Sequence, residues 1–289
     1  MRCKLTLYFD EESFVSAPFR PIPFLERSID LERRADGSLV VRCAVPLKER
    51  EPHIPSLLHR NAAMRPDHPW LAQRRGLQRQ WAKLTYGQAL PQVNAATQFL
   101  LDLGQPGRTV MVLSANSLEH GMLEVAAMQA RMPYAPITTA YSLLSDDHAK
   151  LKAMAKLLEP AVVFVQSGRQ YERALRALRP SLASDAVLIC VDDPVDLPGL
   201  KTWSEVTRSM VTPAVAQSIA AIGHDTVAKY QFTSGSTGVP KAAIVTQGML
   251  CTAMAMTSQM IQWGGAAPET VLLDWLPWCH VAGGHAVFN

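Results

Sequence analysis

The sequence predicts an α/β fold, a layered parallel or mixed sheet with helices on both faces, and three observations carry that expectation. Short apolar runs alternate with amphipathic stretches from Thr109 onward, the pattern of strands joined by crossover helices. The 289 residues are 48% hydrophobic and 18% charged, enough apolar material for a sizeable core and too little charge for a disordered tail. No stretch approaches the roughly 18 unbroken apolar residues of a membrane span.

Along the chain, six prolines between Pro18 and Pro55 make residues 1–55 read as an irregular amino-terminal arm. One strand, Leu39–Val45, follows the Asp36-Gly37 turn signal. A helix over Ile54–Met64 comes next, then Trp70, Trp81 and the triplet Leu84-Thr85-Tyr86. Leu90, Val93, Ala96, Leu100 and Leu103 recur at helical spacing, and Gly104 and Pro106 stop that helix. Val110–Leu113 is strand-like, Ser117–Ala130 helical with Asn116 and Glu119 as a capping pair, and an extended run passes through Pro136 and Ile137. Ser145 is the expected N-cap of a helix whose stripe is Leu151, Met154, Ala155 and Leu158, with Asp146 and Asp147 at its positive end. Strands follow at Val162–Val165 and Val187–Val191, flanking a helix marked by Tyr171, Ala174, Leu175 and Leu178. Asp192–Gly199 reads as a surface connection. Val227–Phe232 and Ala242–Thr246 are β-like, Met249–Ile261 helical with its methionines as packing, and Val271–Leu276 a strand. Tyr230 and Phe232 are expected in the core. From residue 56 to 289 the chain reads as one partial large domain.

Charge and cysteine usage narrow the function classes. The formal charge is only +3, and although arginines collect between Arg33 and Arg79, acids interrupt them and no base-stacking aromatics accompany them, so nucleic acid is not an expected partner. Five irregularly spaced cysteines read as reduced thiols, and Asp10, Glu11 and Glu12 stand where a signal peptide would be apolar; a cytoplasmic location is expected.

The informative stretch is Thr233-Ser234-Gly235-Ser236-Thr237-Gly238-Val239-Pro240-Lys241. Glycines without a Cβ let backbone N–H groups approach an anion, while hydroxyls and an ammonium converge on it, the ingredients of a polyphosphate cradle. The nucleotide P-loop G-x-x-x-x-G-K-[ST] is excluded, because the glycines are too close together and Pro240 precedes Lys241. A G-x-S-x-G nucleophile elbow fails for want of glycines at both offsets. Cys279, His280 and His285 lack the spacing of a zinc motif, so no metal site is expected there.

This loop resembles the ATP/AMP-binding signature of the adenylate-forming enzymes, the superfamily of acyl-CoA synthetases, peptide-synthetase adenylation domains and firefly luciferase. Leu84-Thr85-Tyr86-Gly87-Gln88-Ala89-Leu90 is similar to an early core motif of that superfamily with Gln88 in place of an acid, Pro133–Tyr141 to a second, and Leu276-Pro277-Trp278-Cys279-His280 to its Pro-x-x-His segment. Met64–Leu71, Ser145–Leu151 and Asp274–Trp278 leading to Gly283-Gly284-His285 resemble feruloyl-CoA synthases. Ala242 and Gln247 depart from the usual pattern.

The resemblance implies ATP-dependent activation of a small-molecule carboxylic acid, of the aromatic hydroxycinnamate type, through an acyl-AMP to its coenzyme A thioester. It implies that Thr233, Ser234, Ser236, Thr237 and Lys241 hold phosphates, that Gly235 and Gly238 permit their approach, and that His280 has a catalytic place beside the acyl group. The family's ribose-binding Asp, its Mg²⁺-directing glutamate and its small lid domain have no counterpart, so a truncated chain that cannot complete adenylation alone, with uncovered apolar surface, is expected. The alternatives are an amidase-type serine hydrolase and a degenerate, non-catalytic nucleotide-binding remnant.

Overall fold

The computed structural model describes residues 23–233, 241–261 and 271–288, without the side chains of 285–287. The chain divides into two units, Met1–Pro46 with Ser258–Thr270 and Leu47–Thr257 with Val271–Asn289.

In the smaller unit, β1 (Ile29–Arg33) and β2 (Leu39–Cys43) form an antiparallel hairpin with Leu31 opposite Val41. The turn at Asp36-Gly37 needs Gly37 at φ 83°, in the left-handed region. The strand over Leu39–Val45 therefore forms, two residues shorter, and has the partner β1 that the sequence reading did not anticipate.

The larger unit opens with α1 (Pro55–Met64) and the antiparallel pair β3 (Pro69–Arg75) and β4 (Gln80–Thr85). The Leu84-Thr85-Tyr86 triplet is the start of α2 (Tyr86–Asp102). Thr85 Oγ1 accepts from Gln88 N at 3.2 Å and Gln88 Oε1 accepts from Thr85 N at 3.1 Å, a reciprocal capping box. Glutamine serves in that box as well as glutamate, which accounts for Gln88.

Then strands and helices alternate: β5 (Val110–Val112), α3 (Leu118–Gln129), β6 (Tyr134–Pro136), α4 (Ala140–Leu143), α5 (Ala149–Leu158), β7 (Val162–Ser167), α6 (Gly168–Leu178) and β8 (Val187–Asp192). Beyond the 193–199 connection come β9 (Leu200–Thr202), α7 (Trp203–Val206), α8 (Pro213–Ala220), β10 (Val227–Thr233), β11 (Lys241–Thr246) and α9 (Gln247–Met260). The main sheet has the order β11-β10-β6-β5-β7-β8-β9, parallel except for β11.

Period-two alternation sends each central strand into two cores. Val110, Val112, Tyr134, Val162, Phe164 and Ile189 pack with α2, α3 and Trp203. Met111, Leu113, Ala135, Val163, Val165 and Leu188 pack with α5 and α6 on the other face. The α/β architecture with helices on both faces is as the sequence predicts.

Four details differ. Ser117, not Asn116, caps α3, its hydroxyl accepting from His120 N at 3.0 Å. Glu119 pairs instead with Arg75. Ser145 accepts from His148 N and Asp147 from Ala149 N, so the carboxylate rather than the serine touches the first turn of α5. Val271–Leu276 is not a strand. No neighbouring strand among the described residues pairs with it, and Val271, Leu272 and Leu273 are 87%, 68% and 83% exposed. Met249, Met256 and Met260 of α9 are exposed rather than packed.

Candidate active site

The sheet brings two of the sequence-predicted residues, Thr233 and Lys241, to one end. Because β10, β6 and β5 are adjacent and parallel, their carboxyl ends open onto a common edge, where open α/β sheets bind ligands. Thr233 ends β10 and Lys241 begins β11; the two are register partners, both exposed, and Thr233 Oγ1 donates to Lys241 O at 3.4 Å. They are the described residues on either side of residues 234–240. Ser234, Gly235, Ser236, Thr237 and Gly238, within residues 234–240, lie outside the described residues.

Along β10, Lys229, Gln231 and Thr233 share one face by alternation, while Tyr230 and Phe232 turn half-buried against the α5 and α6 layer. That first face receives the segment 274–288, which runs along β10 from Gln231 back to Lys229 instead of joining the sheet. Asn116, just beyond β5, holds it at two points: its Nδ2 donates to Leu276 O at 2.8 Å and its Oδ1 accepts from Trp278 N at 2.9 Å. Gln231 Nε2 donates to Cys279 O, and Lys229 Nζ donates to Gly284 O. Cys279 also hydrogen-bonds Thr138, beyond β6, and burial is the first cause that raises its thiol above the usual range.

Within the segment, Asp274 Oδ1 accepts from Leu276 N at 2.9 Å and Oδ2 from the Trp278 indole N–H at 2.8 Å. The chain then closes into a wide π turn over Ala282–Val287. Gly283 must lack a side chain there, since a Cβ would stand 2.5 Å from Pro277 O. Trp278 packs on Phe288 with centroids 4.1 Å apart, and Phe288 reaches Trp70 at 6.2 Å. His280 is exposed beside this cluster, its N–H on Pro277 O at 3.0 Å. Gln231, two residues before Thr233 on β10, holds the residue before His280.

Sequence reasoning passed over the polar groups beneath. Lys229 on β10 and Glu124 on α3 are both wholly buried and pair at 3.1 Å. The signal was a lysine inside an apolar strand and a glutamate inside a helix buried all round. Nearby, His120 Nδ1 meets Ala115 O at 3.0 Å and must donate to it, so Nε2 accepts from Tyr134 Oη. Gln247, a departure from the family pattern, is buried and accepts from Ile54 N at 2.9 Å, tying the approach to α1 to the start of α9.

Burial raises Tyr134 well above 10 and is the first cause that lowers His120, His53 and His59 below 6.5. These histidines bind more protons when unfolded than when folded as the pH drops below 6.5, so their contribution to stability is complete above that value and lost below it. A lower urea midpoint at pH 5.5 than at pH 7.5 is therefore expected; an equal or higher one would contradict the neutral buried state.

Among the described residues no group of three His, Cys, Asp or Glu side chains gathers to hold a metal, and no helix is long and apolar enough to cross a membrane. Cys43, Cys190, Cys251 and Cys279 are free thiols.

Residues 58–289 match the family profile described as AMP-binding enzyme. The chain is 24% identical over 241 residues to fadD25 of Mycobacterium tuberculosis H37Rv, described as a fatty-acid–CoA ligase, covering 81% of this chain and 38% of that one. It is 24% identical over 208 residues to surfactin synthase subunit 1 of Bacillus subtilis, covering 72% of this chain and 5% of that protein. Its fold is similar to ATP-bound MatB from Rhodopseudomonas palustris, with a TM-score of 0.58 at 19% identity over 81% of this chain and 42% of MatB. The chain thus spans well under half the length of each.

Proposed function

The chain belongs to the AMP-binding enzyme family, and from that premise we propose that it takes part in ATP-dependent activation of a carboxylic acid of the aromatic hydroxycinnamate type, through an acyl-AMP to its coenzyme A thioester. Membership sets aside the amidase-type alternative. In the proposed reaction a carboxylate oxygen bonds to the α-phosphorus of ATP as pyrophosphate leaves, and the coenzyme A thiol then displaces AMP from the acyl carbon. A carboxylate is a poor acyl donor; the mixed anhydride with AMP makes its oxygen part of a good leaving group.

One observation carries the reading. β10 ends at Thr233, paired with Lys241, and two residues earlier Gln231 holds the carbonyl of Cys279, the residue before His280, which supports a site shared by Thr233, Lys241 and His280. The donor set suits a polyphosphate: Thr233, Ser234, Ser236, Thr237 and Lys241 would bind the β and γ phosphates, with Gly235 and Gly238 admitting the backbone amides. The aromatic cluster of Trp278, Phe288 and Trp70 beside His280 supports an aromatic acid. Magnesium would neutralise phosphate charge when bound.

Binding of ATP to the chain tests the phosphate assignment. Lys241→Ala with Thr237→Ala removes charge-assisted bonds worth about 1.5–3 kcal/mol each, so affinity should fall at least about tenfold at unchanged melting temperature. Unchanged ATP affinity would remove the assignment, and tighter binding of a long-chain fatty acid than of a hydroxycinnamate would remove the proposed acid class.

A further inference from the structure

The segment bearing His280 is recognised through its backbone. Three side chains of the sheet take its carbonyl oxygens: Asn116 that of Leu276, Gln231 that of Cys279 and Lys229 that of Gly284. Asn116 takes the Trp278 amide as well. These contacts come from Asn116, beyond the end of β5, and from Gln231 and Lys229 on β10, so they hold the segment from the carboxyl side of the sheet back to the level of Tyr134, the first residue of β6.

Lys229 differs from the other two in cost. An ammonium taken wholly out of water requires strong compensation, and Glu124 at 3.1 Å provides it from α3, a helix packed under the sheet. A neutral donor could hold one carbonyl more cheaply. The charge pair does something a neutral donor would not: it fixes the ammonium from a third element, so that Gly284 O is held by a group which cannot swing away with the segment. Gly283 and Gly284 allow this approach, because a Cβ on Gly284 would collide with Trp278 O.

We propose that Lys229, locked by Glu124, is a positioning residue that works with Asn116 and Gln231 as a backbone clamp and sets where His280 and Trp278 stand relative to Thr233 and Lys241. Its consequence for acid binding rests on the acid-activation reading above; the clamp itself does not. The clamp acts on acid recognition and leaves the phosphate turn alone, since none of its bonds reaches Lys241.

The test uses the full 289-residue chain carrying Lys229→Met together with Glu124→Leu, which removes both charges at similar volume and avoids a stranded ion, and separately Asn116→Leu. Peptide-resolved hydrogen exchange should quicken by about tenfold or more across residues 274–288 in each variant, with β7 unchanged as the internal reference. In parallel, the affinity for 4-hydroxycinnamate, read by tryptophan fluorescence, should fall about tenfold while ATP affinity holds within about twofold, a split that a general loss of folded protein would not produce. Unaltered protection of 274–288 in both variants overturns the clamp. Equal losses for acid and ATP overturn its positioning role. If the unsubstituted chain binds neither ligand, the acid-activation reading fails by itself, and the exchange measurement still decides the clamp.

Discussion

Lys229→Met alone is expected to destabilise the larger unit by about 3–5 kcal/mol, because it leaves the carboxylate of Glu124 buried without its counter-charge. Both side chains are fully sequestered and 3.1 Å apart, so no water is at hand to take over. Glu124→Leu alone should be as damaging for the mirror reason. Adding it to Lys229→Met should recover most of the loss, since well-packed apolar groups of similar volume commonly replace a buried pair at little cost. Denaturant titration of the four proteins forms a double-mutant cycle. If Lys229→Met costs less than about 1 kcal/mol, the ammonium is not paired in the dry interior, and the clamp loses its anchor.

Phe164→Ala should cost a similar amount, about 3–5 kcal/mol, through a different mechanism. Phe164 lies on β7, wholly buried, in register with Val112 on one side and Ile189 on the other, and meets the Trp203 ring edge-on at 6.1 Å. Flanking strands hold the backbone on both sides, so the cavity cannot collapse. The transition should move down by on the order of 10 °C. A shift of only a degree or two would mean that α7 moves in to fill the space, and that the sheet's far layer is loosely packed.

These two sites differ in how visible they were. Phe164 is legible because Val162–Val165 is a continuous apolar run bounded by Pro160, and a strand buried on both faces reads that way. Lys229 is harder. Its strand was legible from Val227–Phe232, but the charge within it was read through, since nothing local to a lysine announces a glutamate 105 positions away. Asn116 shows the same gap. With Glu119 three residues on, it has the form of a helix cap, yet Ser117 beside it takes that duty and frees the amide for Leu276 and Trp278. Val271–Leu276 is strand-like in composition, and composition cannot supply a neighbour to pair with.

The amino-acid order by itself determined the alternation of strands and helices, the two-sided burial of the central strands and the strands on either side of residues 234–240. Those follow from periodicity and turn chemistry, which act between residues a few positions apart. Only the tertiary structure decided that residues 274–288 run along β10, that Asn116, Gln231 and Lys229 take hold of their carbonyls, and that Glu124 is the counter-charge. Such pairings join groups far apart in the chain, and they are selected by the cost of leaving a buried polar atom unpaired once the layers close.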